Sequence, residues 1–239
     1  MSSKILLKNI QLLTFDVHNV LLTVRKGAPY QYARLAKECF KISSVDETKL
    51  QTNFIQAFRQ FNHIHPGYGV NTNITSRQWW NLVVEYAFKD AQLTSEQSQK
   101  LGRIIYDEFA RGDLWVKNPQ ADRVLNYLKP KKLLGVISNF DERLESLLEQ
   151  HQLRDYFQFI LTPRTCGFYK PQKEIFDHAA KQGNIRTNEY LCHIGDDLKL
   201  DYLAARNANC QALLLNKNNE NSVDKSHVIK QLDDLLNLF

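Results

Sequence analysis

The sequence predicts an α/β protein built on a doubly wound parallel sheet, with a helical domain inserted after the first strand. Three observations carry that expectation. Short, continuous apolar runs alternate with helical patterns over most of the chain, as expected of strands covered by helices on both faces. More than a hundred residues separate the first run from the second, and helical pattern fills them. Finally, four polar constellations stand immediately after apolar runs, at the carboxyl ends of strands, where an open α/β sheet holds its ligands.

The strands read in order as residues 10–15, 133–137, 159–161, 190–194 and 212–215. Each is too short for a buried helix and is bounded by polar or turn residues. Between the later strands, helical periodicity covers 121–128, 142–149, 173–181 and 202–207, and an amphipathic helix is expected over 228–238. The insertion carries four helical patterns, 30–39, 45–61, 76–88 and 95–110. Ser44 before Asp46 and Glu47, and Thr94 before Ser95 and Glu96, supply the oxygens that cap free N–H groups at helix starts. Residues 63–76, "HIHPGYGVNTNITS", read as a long loop inside the insertion, of a length that is commonly functional or mobile. The polar stretch 216–226 reads as a surface loop.

Composition narrows the function classes. The chain has 239 residues, 43% hydrophobic and 24% charged, enough for a large core. Its net charge of +5 comes from scattered basic residues among acids, with no dense Lys/Arg run, so no nucleic-acid partner is expected. A small anionic substrate suits the balance. No apolar run approaches the ~20 residues needed to span a bilayer, and Lys4, Lys8, Asn9 and Gln11 interrupt the first segment as no signal peptide would allow. The four cysteines form no CxxC pair, which argues against a zinc site or disulfide framework and for a reducing, cytoplasmic setting. Cys192 and Cys210 read as small core residues.

The chemistry sits at the strand ends. Asp16 ends the first apolar run, in "TFDVHNVLL". Ser138 and Asn139 follow the second and offer a hydroxyl, an amide and backbone N–H groups for phosphate oxygens. Lys170 is a point charge in "GFYKP", where Pro171 is expected to start a helix. Asp196, Asp197 and Asp201 follow a strand in "HIGDDLKLD", and clustered carboxylates are what Mg²⁺ requires. Singly these are a cap, a turn and a solvated charge; together, in this order and each at a strand end, they are a strong joint signal.

On "LLTFDV", "TSRQWW", "GVISNFDERL", "YKPQKEIF" and "HIGDDLKLDYLAAR", the chain resembles the haloacid dehalogenase-like hydrolase superfamily over nearly its whole length. "TSRQWW" belongs to the insertion and resembles one branch in particular. The resemblance implies a Rossmann-like core of residues 1–22 and 118–239, with residues 23–117 as a helical cap inserted after the first strand. It implies that Asp16 is a nucleophile that becomes an aspartyl phosphate. Mg²⁺ is then held by Asp16, the backbone carbonyl of His18 and Asp196, with Asp201 or Asp197 as the outer carboxylate that orders Lys170. Ser138 and the backbone at Asn139 bind phosphoryl oxygens, and Lys170 neutralises charge between nucleophile and phosphate.

One departure bears on turnover. Phosphatases of the superfamily carry a second aspartate two residues after the nucleophile, followed by glycine and threonine; here these are His18, Asn19 and Val20. His18 is either an acid–base imidazole or a spacer at the loop mouth. The expected function is a Mg²⁺-dependent hydrolase of a small phosphate ester, slowed by the missing acid. The alternative is a phosphatase-like fold that binds a ligand or partner. Displacement of halide forms an ester on the same aspartate without a metal and has no use for Asp196 beside Asp201. His63 and His65 lack a third ligand, Trp79 and Trp80 read as packing, Arg77 as half of a surface salt bridge, and His193 as structural.

Overall fold

The computed structural model describes residues 7–40, 45–91, 93–215 and 223–239. Its elements are β1 (Leu12–Phe15), β2 (Leu22–Val24), α1 (Ala28–Phe40), α2 (Glu47–Ile64), α3 (Pro66–Gly69), α4 (Ser76–Ala87), α5 (Ser95–Glu108), β3 (Trp115–Lys117), α6 (Ala121–Leu128), β4 (Leu133–Ile137), α7 (Leu144–Gln150), β5 (Phe159–Leu161), α8 (Pro163–Cys166), α9 (Lys173–Gln182), β6 (Leu191–Gly195), α10 (Ala204–Asn207), β7 (Gln211–Leu215) and β8 (Val228–Ile229).

All four residues of β1 are buried, because strands lie on both its edges and side chains pack on both its faces. The main sheet has the order β5-β4-β1-β6-β7-β8, and its pairs are parallel. This is the doubly wound, Rossmann-like sheet. After β1 the chain builds outward through β4 and β5, then crosses back to lay β6 against the other edge of β1. The order therefore reverses between β1 and β6, and the crevice at their carboxyl ends is where such a sheet binds its ligand. β2 and β3 form a separate two-stranded sheet.

The described residues divide into two compact units. The first holds the main sheet and takes in the described residues up to 23, those of 117–140 and those from 151 on; the second takes in the described residues of 24–116 and 141–150. The second is organised around Trp79, which is fully buried among Ala57, Tyr68 and Val83. Its indole Nε1–H donates to the Phe61 and His65 carbonyls at 3.2 and 3.0 Å, so the polar edge of the ring is satisfied. Burying a side chain of that size removes ~150–250 Å² from water, roughly 4–6 kcal/mol. Trp80 stacks on Tyr68 and stands edge-on to Trp79. Both tryptophans are thus packing residues of the insertion.

Several local expectations are corrected. Residues 63–76 are not one long loop: α2 runs to Ile64, and Pro66–Gly69 makes a helical turn with Tyr68 buried in the aromatic cluster. The cap of α2 is Asp46, which accepts from the Thr48 and Lys49 N–H groups; Ser44 lies outside the described residues, as do 216–222 of the 216–226 stretch. The helix after Lys170 begins at Lys173, not at Pro171, with Gln172 preceding it in extended conformation. Residues 228–238 are not one helix. Val228 and Ile229 add a strand to the edge of β7, and Leu232–Asn237 form a 3₁₀ helix, because pairing with an open sheet edge satisfies backbone groups that a helix start would leave free. Cys192 and Cys210 are buried. No helix among the described residues is long and apolar enough to cross a membrane.

Candidate active site

The site is assembled within the first unit at the ends of β1, β4 and β6. β1 continues its ladder through Asp16, whose N–H donates to the Ile194 carbonyl at 2.9 Å, and the chain then turns sharply. Leu21 and Leu22 N–H groups both return to the Val17 carbonyl at 2.9 Å, and Asn19 N–H reaches the Leu22 carbonyl at 2.7 Å. The turn puts Asn19 at φ 61°, in the left-handed region where asparagine is enriched among residues other than glycine. Asn19 therefore takes a backbone conformation that glycine adopts most readily. It also does something glycine cannot: its Nδ2 donates to Asp196 Oδ2 at 3.1 Å.

Lys170 reaches the same place from the loop before α9 and is 3% exposed. Its Nζ donates to Asp16 Oδ1 at 2.8 Å and to Asp201 Oδ1 at 2.5 Å. The Asn139 side chain fixes the Lys170 main chain from both sides, its Nδ2 donating to the Lys170 carbonyl at 2.7 Å and its Oδ1 accepting the Lys170 N–H at 2.8 Å. The Asn139 side-chain amide is thus engaged with the Lys170 main chain. Ser138 is buried at the end of β4.

Beyond β6 the chain makes one wide helical turn, Leu198–Leu203, in which Tyr202 N–H returns five residues to the Asp197 carbonyl. Single wide turns of this type occur frequently at functional sites. This one separates the two candidate outer carboxylates. Asp197 is exposed and caps the turn through the Lys199 and Leu200 N–H groups. Asp201 is folded back beneath the strand end, buried, and accepts from Lys170 Nζ, His193 Nε2 and the Asp197 N–H. Asp201 is therefore the carboxylate that orders Lys170. It lies so close to Gly195 that a β-carbon there would stand 2.1 Å from its Cγ.

Asp16, Asp196 and Asp201 each offer an oxygen within 4.8 Å of the others, a hard, anionic donor set of the kind Mg²⁺ takes. Their environments differ. Burial and the nearby Asp16 push Asp196 up to about 6. Burial alone would raise Asp201 too, but Lys170 and His193 outweigh it and hold that carboxyl well below the usual range. Lys170, whose charge burial disfavours, is held above its ordinary value by Asp16 and Asp201. Burial of its ring lowers the His18 imidazole against the pull of Asp16, although the residue as a whole is exposed.

Asp16, Lys170, Asp196 and Asp201 are thus brought together as expected from the sequence, with Asn139 in a supporting role. Sequence reasoning missed three contributors: Asn19, Gly195 and Thr14. The Thr14 hydroxyl lies 2.9 Å from the ring of His193, itself bonded to Asp201, and Thr14 was legible only as a polar residue in a largely apolar strand. The remaining candidates lie elsewhere. His65 Nδ1 pairs with the Thr72 hydroxyl, and Arg77 makes an exposed salt bridge with Asp107 at 2.6 Å. Within the second unit, Trp80 Nε1–H donates to Asp141 Oδ2 at 2.7 Å, and Asp141 takes a bidentate pair from Arg143.

Comparison with known proteins places the chain in a family and a fold. The family model for haloacid dehalogenase-like hydrolases matches residues 10–209. The haloacid dehalogenase-like hydrolase domain-containing protein 3 of Xenopus laevis is 32% identical over 234 residues, covering 95% of each chain. The rhythmically expressed gene 2 protein of Drosophila melanogaster is 29% identical over 248 residues, covering 95% of this chain and 94% of its own. Among solved structures, the putative hydrolase YfnB of Bacillus subtilis, bound to magnesium, superposes with a TM-score of 0.75 at 17% identity, covering 96% of this chain and 98% of its own. At that identity the likeness speaks for the fold.

Proposed function

The chain belongs to the haloacid dehalogenase-like hydrolases, and on that premise we propose that it is a Mg²⁺-dependent hydrolase of a small phosphate ester, with Asp16 as nucleophile. The observation that carries this reading is the pairing of Asp16 with Lys170, itself anchored by Asp201. A carboxylate that must attack an anionic phosphoryl group needs its own charge balanced, and Lys170 does that while pointing one Asp16 oxygen. The donor set fits Mg²⁺. Burial and, after it, the neighbouring Asp16 raise Asp196, and a divalent cation relieves the repulsion between the two carboxylates. We assign Asp16, Asp196 and the His18 carbonyl as its holders. Asp201 lies within reach, but three donors already engage its two oxygens. Mg²⁺ would supply charge neutralisation for the phosphoryl oxygens.

The chemistry assigned to the chain's own groups balances simply. An Asp16 oxygen forms a bond to phosphorus as the bond to the ester oxygen breaks, and the leaving oxygen takes a proton. Water then cleaves the aspartyl phosphate, releasing inorganic phosphate and restoring Asp16. Ser138 and the Asn139 backbone hold the phosphoryl oxygens, and Lys170 offsets their charge. Such transfer depends on positioning and electrostatics more than on covalent help. The proton for the leaving oxygen is the weak point, since His18 stands where an aspartate would serve.

That substitution favours a second reading, a phosphatase-like fold that binds a ligand without turning it over. A phosphate-ester panel with and without Mg²⁺, run beside Asp16→Asn, decides between them. Metal-dependent release of phosphate that disappears in Asp16→Asn supports the enzyme. Activity that survives in Asp16→Asn refutes the nucleophile, and no turnover of any ester favours the binding protein.

A further inference from the structure

One buried titratable group takes no part in the chemistry above. His193, in the middle of β6, is 0% exposed, and so is Thr14. The parallel register of β1 and β6 sets the two side by side, and the Thr14 hydroxyl lies 2.9 Å from His193 Nδ1. On the other side of the ring, Nε2 lies 3.1 Å from Asp201 Oδ1, the oxygen that also accepts Lys170 Nζ. Phe176 stands edge-on to the imidazole at 5.4 Å.

We propose that Thr14 and His193 are positioning residues of this site: the Thr14 hydroxyl sets the tautomer of His193, and His193 in turn fixes the Asp201 carboxylate that aims Lys170 at Asp16. The proposal rests on the reading of Asp16 and Lys170 given above. A carboxylate can only accept, so His193 must present Nε2–H to Asp201. That leaves Nδ1 as the acceptor of a neutral ring, and the Thr14 hydroxyl is the donor that satisfies it. Burial favours the neutral imidazole. The torsion that rotates a carboxylate is broad and soft. Asp201 holds one orientation because donors fix both of its oxygens: Asp197 N–H on Oδ2, with His193 and Lys170 on Oδ1. Without the histidine, Oδ1 keeps only the mobile end of a long lysine chain, and the orientation passed to Asp16 loosens. The chain of contacts runs Thr14, His193, Asp201, Lys170, Asp16 entirely within the first unit.

The test compares His193→Met, which keeps bulk and loses the donor, with His193→Gln, whose amide can donate again. It also compares Thr14→Val, isosteric without the hydroxyl, with Thr14→Ser. The first readout needs no substrate: nitrogen-15 NMR of lysine side-chain ammonium groups, with the Lys170 signal assigned by its loss in Lys170→Met. The wild type should show a slowly exchanging Lys170 ammonium. His193→Met and Thr14→Val should shift it and speed its exchange, while His193→Gln and Thr14→Ser keep it close to wild type. On an ester that the wild type turns over, His193→Met should lower kcat by about 10–100-fold, the range for groups that orient a functional ligand, with KM little changed. If folded His193→Met leaves the Lys170 signal unmoved, the histidine is core filling and the proposal falls. Should His193→Met fail to fold, Thr14→Val decides by the same signal, because it changes one hydroxyl at constant volume. A wild-type Lys170 signal in fast exchange also overturns the proposal. Absence of turnover with a responsive signal sinks the hydrolase reading and leaves the positioning chain standing.

Discussion

Removing Lys170 is the perturbation whose size the structure lets us work out most fully. Lys170→Met keeps the length of the chain and deletes its charge at a position 3% exposed. It leaves Asp16, Asp196 and Asp201, with oxygens within 4.8 Å of one another, without the ammonium that bonds two of them. At an effective dielectric near 20, each pair at about 4 Å carries roughly 4 kcal/mol of attraction. The buried ammonium gave up solvation of comparable size, so the net loss is that of breaking a buried pair and leaving its partner uncompensated, about 3–5 kcal/mol. For a protein of this size that corresponds to a fall in thermal midpoint of roughly 6–20 °C. The deficit depends on pH in a fixed direction. Burial and Asp16 already push Asp196 up to about 6 against the lowering pull of Lys170. Without Lys170 it goes higher still, and a group raised above its unfolded value loses stability as pH rises through its folded pKa. The variant should therefore be far weaker than wild type at pH 7.5 and close much of the gap at pH 5. Thermal unfolding followed by circular dichroism in EDTA, for both proteins at both values, reads this directly. A gap below about 2 °C at pH 7.5, or one unchanged at pH 5, would refute the argument that Lys170 compensates a buried acidic cluster.

Other outcomes follow from the same geometry. Because Asp196 holds its proton up to about 6, Mg²⁺ affinity measured by calorimetry should be flat above that value and fall with acidification below it; Asp196→Ala should abolish it, and equal affinity in that variant would refute the site. Gly195→Ala must push the Asp201 carboxylate aside, since the new carbon would stand 2.1 Å from its Cγ; a loss of about 1–3 kcal/mol in urea unfolding is expected from such overpacking, and a wild-type curve would count against the packing described. His18→Asp keeps the backbone carbonyl and adds an acid, so the rate on an unactivated phosphate monoester should rise at least about tenfold, with little gain on an activated aryl ester. A lower rate, with loss of a titration lying below the usual imidazole value, would instead identify His18 as the acid–base group.

Much of this molecule is decided locally and can be read along the chain. A strand buried on both faces is largely apolar, so 133–137 and 159–161 appear in the sequence with the bounds that β4 and β5 take. The first polar residue after such a run is delivered to the crevice by the strand itself, which is why Asp16, Ser138 and Asp196 are legible without coordinates. Lys170 is identified by its motif, and the inserted helices by their period and by Thr94, whose capping box with Gln97 forms as the spacing implies.

What the sequence could not decide are pairings between distant segments. Asp197 and Asp201 both follow Asp196 within a few residues, and only the wide turn that points one outward and the other under Gly195 separates their roles. Residues 228–238 carry a helical period, yet Val228 and Ile229 join β7, because an unpaired sheet edge competes for the backbone in a way no local pattern records. Asn139 is a plausible phosphate ligand until Lys170 closes on its side chain from 31 positions away. Thr14 and His193 stand 179 residues apart. Each reads as an isolated polar residue in an apolar strand, and the register of β1 against β6 is what sets one beside the other. Hydrophobicity and chain direction put the reactive groups at the right end of the sheet; which group holds which is set by tertiary packing, since a hydrogen bond in the core depends on where its partner lies in space and not on its distance along the chain.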